Sequence, residues 1–184
     1  MRTGPNYIHD QKLVLWLPMR TGARYTHSCF KRAGYELSTE VPTHPIRSRR
    51  EFPDYRAVLT VRNPYRRVLS IWAWRNIVSK DYISWDDWMD NSYHPRYSRF
   101  CISKELGRNV TDVDYLVRLE ENQKDIAAIP GFPSDFDWPP NTYQSEELEG
   151  LDLNSTFCPR HEKKIWRYYK KDFNNFGYER YCYT

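Results

Sequence analysis

The sequence predicts an α/β protein, a parallel β-sheet flanked by helices. Three short apolar runs carry that expectation: Lys12-Leu-Val-Leu-Trp-Leu17, Ala57-Val-Leu-Thr-Val61 and Asp114-Tyr-Leu-Val-Arg-Leu119. Each is followed by a stretch with helical spacing of its apolar residues. Strands that alternate with helices in this way build a parallel sheet covered on both faces.

The elements follow in order. The first run is continuous rather than alternating and is closed by Pro18, as expected of a strand buried on both sides. After the turn Arg20-Thr-Gly22, residues 25–33 read as a helix, with Gly34 as its left-handed stop. The second run is rich in β-branched residues. Pro64 then stands at the first turn of a helix whose apolar face comprises Val68, Leu69, Ile71, Trp72, Trp74 and Ile77. Ser84-Trp-Asp-Asp87 has the form of a capped start for another short helix. The third run leads into a helix over 121–129. Residues 130–154, with their prolines and glycines, read as a loop. A last helix is expected over 160–173, burying Ile165, Trp166, Tyr169 and Phe173.

Length and composition set bounds. A chain of 184 residues fits a single domain spanning 1–184. It is long enough to bury roughly 70% of its unfolded surface without staples. The net charge of +4 is too mild to argue for nucleic acid. Cys29, Cys101, Cys158 and Cys182 lack the close spacing of zinc ribbons or thioredoxin-like motifs. No apolar run approaches the roughly 20 residues of a membrane span, and the first ten residues contain no apolar block. A soluble, cytoplasmic protein is the expectation.

Parallel sheets bind ligands at the carboxyl ends of their strands, and two of the ends here carry the residue types that hold anions. In Leu17-Pro-Met-Arg20-Thr-Gly22-Ala-Arg-Tyr25, a turn between strand and helix can offer backbone N–H groups to a phosphate. Gly22 permits close backbone approach, and Arg20 adds a fixed charge. In Val61-Arg62-Asn-Pro-Tyr-Arg-Arg-Val-Leu-Ser70, an arginine stands at a strand end with a serine about two helical turns later. A Walker A lysine motif is absent.

This pair resembles the two cofactor-binding motifs of sulfotransferases that use 3′-phosphoadenosine-5′-phosphosulfate (PAPS), most closely the carbohydrate, Golgi-type group. Arg20, Thr21 and Gly22 fill the basic, hydroxyl and glycine positions of the motif that grips the 5′-phosphosulfate in that family. Arg62 and Ser70 match the arginine and serine that grip the 3′-phosphate. Val117-Arg-Leu-Glu-Glu-Asn122 and the segment from Tyr168 to Tyr178 also resemble the family. The similarity runs from about Lys12 to Tyr178.

The resemblance implies a P-loop-NTPase-like sulfotransferase fold and a site built from Arg20, Thr21, Gly22, Ala23, Arg24, Tyr25, Arg62 and Ser70. Ala23 and Arg24 stand where the family places hydroxyl residues, so backbone amides take over, with Thr21 or Thr26 helping. Two readings stand for Tyr25: an aromatic that stacks on adenine, or a helix residue packed on the sheet. Thr43-His44-Pro45 resembles the segment in which some members carry the catalytic base, and an imidazole suits proton removal near neutrality. A plain loop histidine is the alternative for His44. Glu40 and Glu51 are reserve bases, and His27 reads as a helix residue near the phosphate turn.

The implied reaction moves a sulfuryl group from PAPS to a hydroxyl-bearing acceptor, a glycan by resemblance, and releases 3′,5′-adenosine bisphosphate. Arg20 and His44 are its catalytic residues. No metal is called for, since arginine and amide donors balance the charge. Arg47, Arg49 and Arg50 form either a basic rim for an acidic substrate or a solvated loop. The rival readings are a P-loop-like kinase and a non-catalytic module that binds a nucleotide or polyanion.

Overall fold

The computed structural model describes residues 6–38, 53–79, 82–92, 101–103, 113–140 and 156–180. The chain divides into two compact units. The first comprises Met1–Arg62 with Leu106–Tyr143, and the second Asn63–Glu105 with Gln144–Thr184.

The first unit is α/β. Its sheet has the strands β1 (Asn6–Ile8), β2 (Leu13–Trp16), β3 (Arg56–Val61) and β4 (Tyr115–Arg118), in that spatial order. β2, β3 and β4 are parallel, in the register Leu15↔Val58 and Leu59↔Leu116. All four residues of β2 and the last five of β3 are buried, so both faces of the sheet's middle are covered. This is why those runs are continuously apolar.

One strand departs from the all-parallel expectation. β1 pairs antiparallel with β2, joined by a tight turn in which Lys12 N–H bonds to the His9 carbonyl at 3.0 Å. Three residues are too few to display an alternating pattern, which is why sequence reasoning passes over β1.

Helix α1 (Ala23–Arg32) follows β2 and buries Tyr25, Thr26, Cys29 and Phe30. It stops at Gly34, whose φ of 86° is the left-handed cap expected there, and Tyr35 N–H closes the motif on the Phe30 carbonyl at 3.1 Å. After β4, a 3₁₀ turn (Leu119–Glu121) leads into α4 (Asn122–Ala127). The core joins Leu13, Leu15, Tyr25, Phe30, Val58, Val117 and Ile126. Residues 130–140 form neither helix nor strand.

Among the described residues the second unit is helical: α2 (Pro64–Ser79), the short α3 (Trp85–Asp87) continued by a π-turn (Trp88–Ser92), and α5 (Pro159–Phe176). Ser84 caps α3 as expected, accepting a bond from Asp87 N–H at 3.1 Å. The core joins Tyr65, Val68, Leu69, Trp88, Ile165, Tyr169 and Phe173.

Two expectations are corrected here. Trp74 is 38% exposed rather than part of the buried face. The helix is apolar on nearly every side, so the period alone does not select the side that packs. Trp166 is half-buried and lies against the core edge, while Phe176 is buried in the turn beyond the expected helix end.

Two carboxylates are also buried in this unit. Asp172 accepts bonds from the N–H groups of Ile102 (3.0 Å) and Ser103 (2.7 Å), with the Arg67 guanidinium 4.0 Å away. Glu162 accepts from Tyr65 Oη at 2.7 Å and from both ends of the Arg180 guanidinium at 2.8 and 2.9 Å. Buried carboxylates survive in a core only when supplied with donors in this way. Among the described residues no helix is long and apolar enough to cross a membrane.

Candidate functional site

Because β2, β3 and β4 run parallel, their carboxyl ends share one edge of the first unit's sheet. That edge carries the turn 17–22, Arg62 just past β3, and Arg118 with Leu119 at the end of β4. The chain turns sharply between β2 and α1. Arg20 has φ 66° and Gly22 φ 81°, both left-handed, and Ala23 opens the helix.

Two contacts tie the turn to its neighbours. Thr21 Oγ1 lies 2.7 Å from Thr60 Oγ1 on β3 and 2.7 Å from the Pro18 carbonyl oxygen. A Cβ built on Gly22 would overlap Leu119 Cδ1, and the left-handed φ strains any other residue, so glycine suits the approach of this turn to the end of β4. The helix then begins its ladder with Thr26 N–H bonding to the Gly22 carbonyl at 3.0 Å.

The individual residues divide by direction. Thr21 donates its hydroxyl proton to the Pro18 carbonyl and accepts from Thr60, so it is bound inward rather than offered to a ligand. Thr26 is buried too. The hydroxyl donor of Thr21 is therefore committed to the fold. The turn also carries the half-buried Arg20, and the exposed Arg24 follows it in α1.

Tyr25 is 1% exposed and packs in the core beside Cys29 and Phe30. Of its two readings, this side-chain position is that of a residue packed on the sheet. Burial raises the Tyr25 phenol above its ordinary pKa. It likewise pushes the Cys29 thiol up to about 11, which removes Cys29 as a nucleophile. His27 is half-buried in α1, and burial first, then Lys31, lowers its pKa.

Arg62 is half-buried at the end of the first unit, and Ser70 is a buried residue of α2 in the second. Arg118 is committed to Asp125, which accepts its backbone N–H at 2.8 Å and lies 3.7 Å from its guanidinium. His44, Glu40, Glu51 and the arginines at 47, 49 and 50 lie outside the described residues.

Sequence reasoning missed Thr60 and Leu119 as the groups that hold the turn. Thr60 had a visible signal, since it is a polar residue in the middle of an otherwise apolar strand. Leu119 had none, because its role depends on the neighbour that glycine admits.

The fold and this edge define an α/β protein with a glycine-dependent strand-to-helix turn beside an arginine-bearing strand end. Compared with protein-family models, curated proteins and solved structures, the chain matches none.

Proposed function

We propose that the protein is a sulfotransferase, moving a sulfuryl group from PAPS to the hydroxyl of a carbohydrate acceptor on a P-loop-NTPase-like sulfotransferase fold. The observation that carries the reading is the shared strand-end edge, where the Gly22 turn and Arg62 follow adjacent parallel strands. The sequence resemblance assigns opposite ends of one bisphosphorylated nucleotide to these two places.

PAPS supplies the activated sulfur–oxygen bond, which breaks as the acceptor oxygen bonds to sulfur. In this reading His44 takes the acceptor proton, and Arg20 with the turn amides stabilises the charge left on the departing phosphate. The sequence resemblance assigns the 3′-phosphate to Arg62 and Ser70. The product nucleotide is 3′,5′-adenosine bisphosphate.

A second reading is favoured by the inward hydroxyl of Thr21 and by alanine at the first helical position. With those side-chain donors withdrawn, the turn suits a module that binds a nucleotide or polyanion without transfer. A thermal-shift comparison of 3′,5′-adenosine bisphosphate with ATP, ADP and NAD tests both. Both readings expect selective stabilisation by the bisphosphate, and its absence sinks the transferase. Labelled-sulfate transfer to a panel of glycans then separates enzyme from binder.

A further inference from the structure

Helix α5 turns its apolar side to the second unit's core through Ile165, Tyr169, Phe173 and Phe176. Its opposite side is basic. Lys163, Arg167, Lys170 and Lys171 are exposed, followed by Asn174 and Asn175. At about 100° per residue the four cations fall within a sector of roughly 100°, and Lys163 to Lys171 covers about 12 Å of helix. They form one row along the rod.

Among the described residues the row is uncompensated. The two acids of the helix, Glu162 and Asp172, are buried and bound inward. Arg160, one turn before the row, is already paired with Asp90 at 2.6 Å. Lys164 points elsewhere, donating to the Met89 carbonyl. Among the described residues none of the four cations takes part in an ion pair or side-chain hydrogen bond.

We infer that this face binds a linear acidic polysaccharide, a chain of sugars bearing uronate or sulfate groups. A single row of cations fits one charged chain laid along the helix. Insertion as an interfacial helix would need an exposed apolar flank, and the apolar side of α5 is consumed by the core. Single-stranded nucleic acid is held by exposed aromatic platforms interleaved with cations. Here Trp166 and Tyr168 are half-buried against the core, and every fully exposed position from 163 to 175 is non-aromatic. The inference goes beyond the transferase reading. It concerns equilibrium binding to one helix, needs neither PAPS nor turnover, and its failure leaves the nucleotide test untouched.

The test uses the full chain and a heparin-type decasaccharide, titrated at several salt concentrations. With about 0.7 counterions released per contact, as on a single-stranded polyanion, four contacts give a log–log salt slope near −3. The variant Lys163→Gln/Arg167→Gln/Lys170→Gln/Lys171→Gln should lose at least about tenfold in affinity and most of that slope. A control, Lys12→Gln/Arg32→Gln/Lys124→Gln, removes three exposed cations of the first unit and should bind as the parent does. Circular dichroism melting checks that both variants fold. Should the quadruple variant lose its fold, the single variants Lys163→Gln and Lys171→Gln are expected to lower the slope by roughly 0.7 each. Parent-like binding by the folded quadruple variant, or by both singles, overturns the inference. So does tighter binding of a charge-matched single-stranded oligonucleotide or of phosphatidylserine vesicles.

Discussion

The hydroxyl oxygens of Thr21 and Thr60 lie 2.7 Å apart in the interior of the first unit, fastening the turn after β2 to the end of β3. The pair fixes where the turn's backbone sits, so its removal should be felt both in stability and in anion binding. Thr60→Val leaves Thr21 with its bond to Pro18 but without a donor. Thr21→Val strands both the Thr60 hydroxyl and the Pro18 carbonyl. We expect Thr21→Val to cost about 1–3 kcal/mol and Thr60→Val less, with the double variant costing less than the sum. Urea unfolding of the four proteins measures the cycle, and strict additivity would refute the coupling.

Gly22→Ala should be damaging for two separable reasons. The left-handed φ of 81° strains any L side chain, and the new methyl would meet Leu119. The backbone term alone is of order 1 kcal/mol. Gly22→Ala/Leu119→Ala should therefore recover binding of 3′,5′-adenosine bisphosphate relative to Gly22→Ala, although stability stays low. If the double variant binds no better than the single one, the contact with Leu119 is not what sets the turn.

Arg62→Ala should weaken 3′,5′-adenosine bisphosphate by roughly 10- to 100-fold, the size of a lost charge-assisted hydrogen bond of about 1.5–3 kcal/mol. His44→Ala should leave that affinity intact and lower sulfate transfer by about 10²–10⁴. Calorimetric titration reads the first and labelled-sulfate turnover the second. Unchanged affinity in the arginine variant would discredit the 3′-phosphate role.

Glu162 gives the second unit a dependence on pH. Burial by itself would raise its pKa, but the hydrogen bonds from Arg180 and Tyr65 outweigh that and hold it below the ordinary value of 4.5. A depressed folded pKa means stability that is complete above the unfolded value and lost as pH falls through the folded one. Glu162→Gln should thus be less stable than the parent at pH 7, by about 1–3 kcal/mol. The gap should narrow below about pH 4.5 as the parent's own carboxylate is protonated. Denaturant unfolding across pH 3–7 measures it; a gap that widens in acid contradicts the sign.

Much of the architecture was legible because local and long-range signals agree. β2 and β3 are continuous apolar runs, and their burial on both faces is what that pattern encodes, whereas β4 buries only Val117. Gly34 and Ser84 sit where left-handed stops and caps are needed. The rest was hidden where the deciding partner is remote in sequence. Asp172 reads as a surface charge until the amides of Ile102 and Ser103 are found on it. Trp74 reads as core because α2 offers apolar residues all round. At the candidate site, the motif located the turn, but not which of its side chains face inward. Thr21 and Tyr25 occupy motif positions and still belong to the interior.

Neither unit is a contiguous stretch of chain. Ala57 N–H bonds to the Asp114 carboxylate 57 residues further on, where β4 joins β3. During synthesis the N-terminal portion must wait, lacking a quarter of its strands, until the ribosome has passed residue 118. By then the leading half of the helical unit has emerged without α5 to cover it. Both folding reactions overlap in time, and the long closures slow them. A fragment cut at the Arg62–Asn63 crossing would yield two incomplete pieces, so any attempt to express half of this molecule should splice 1–62 to 106–143.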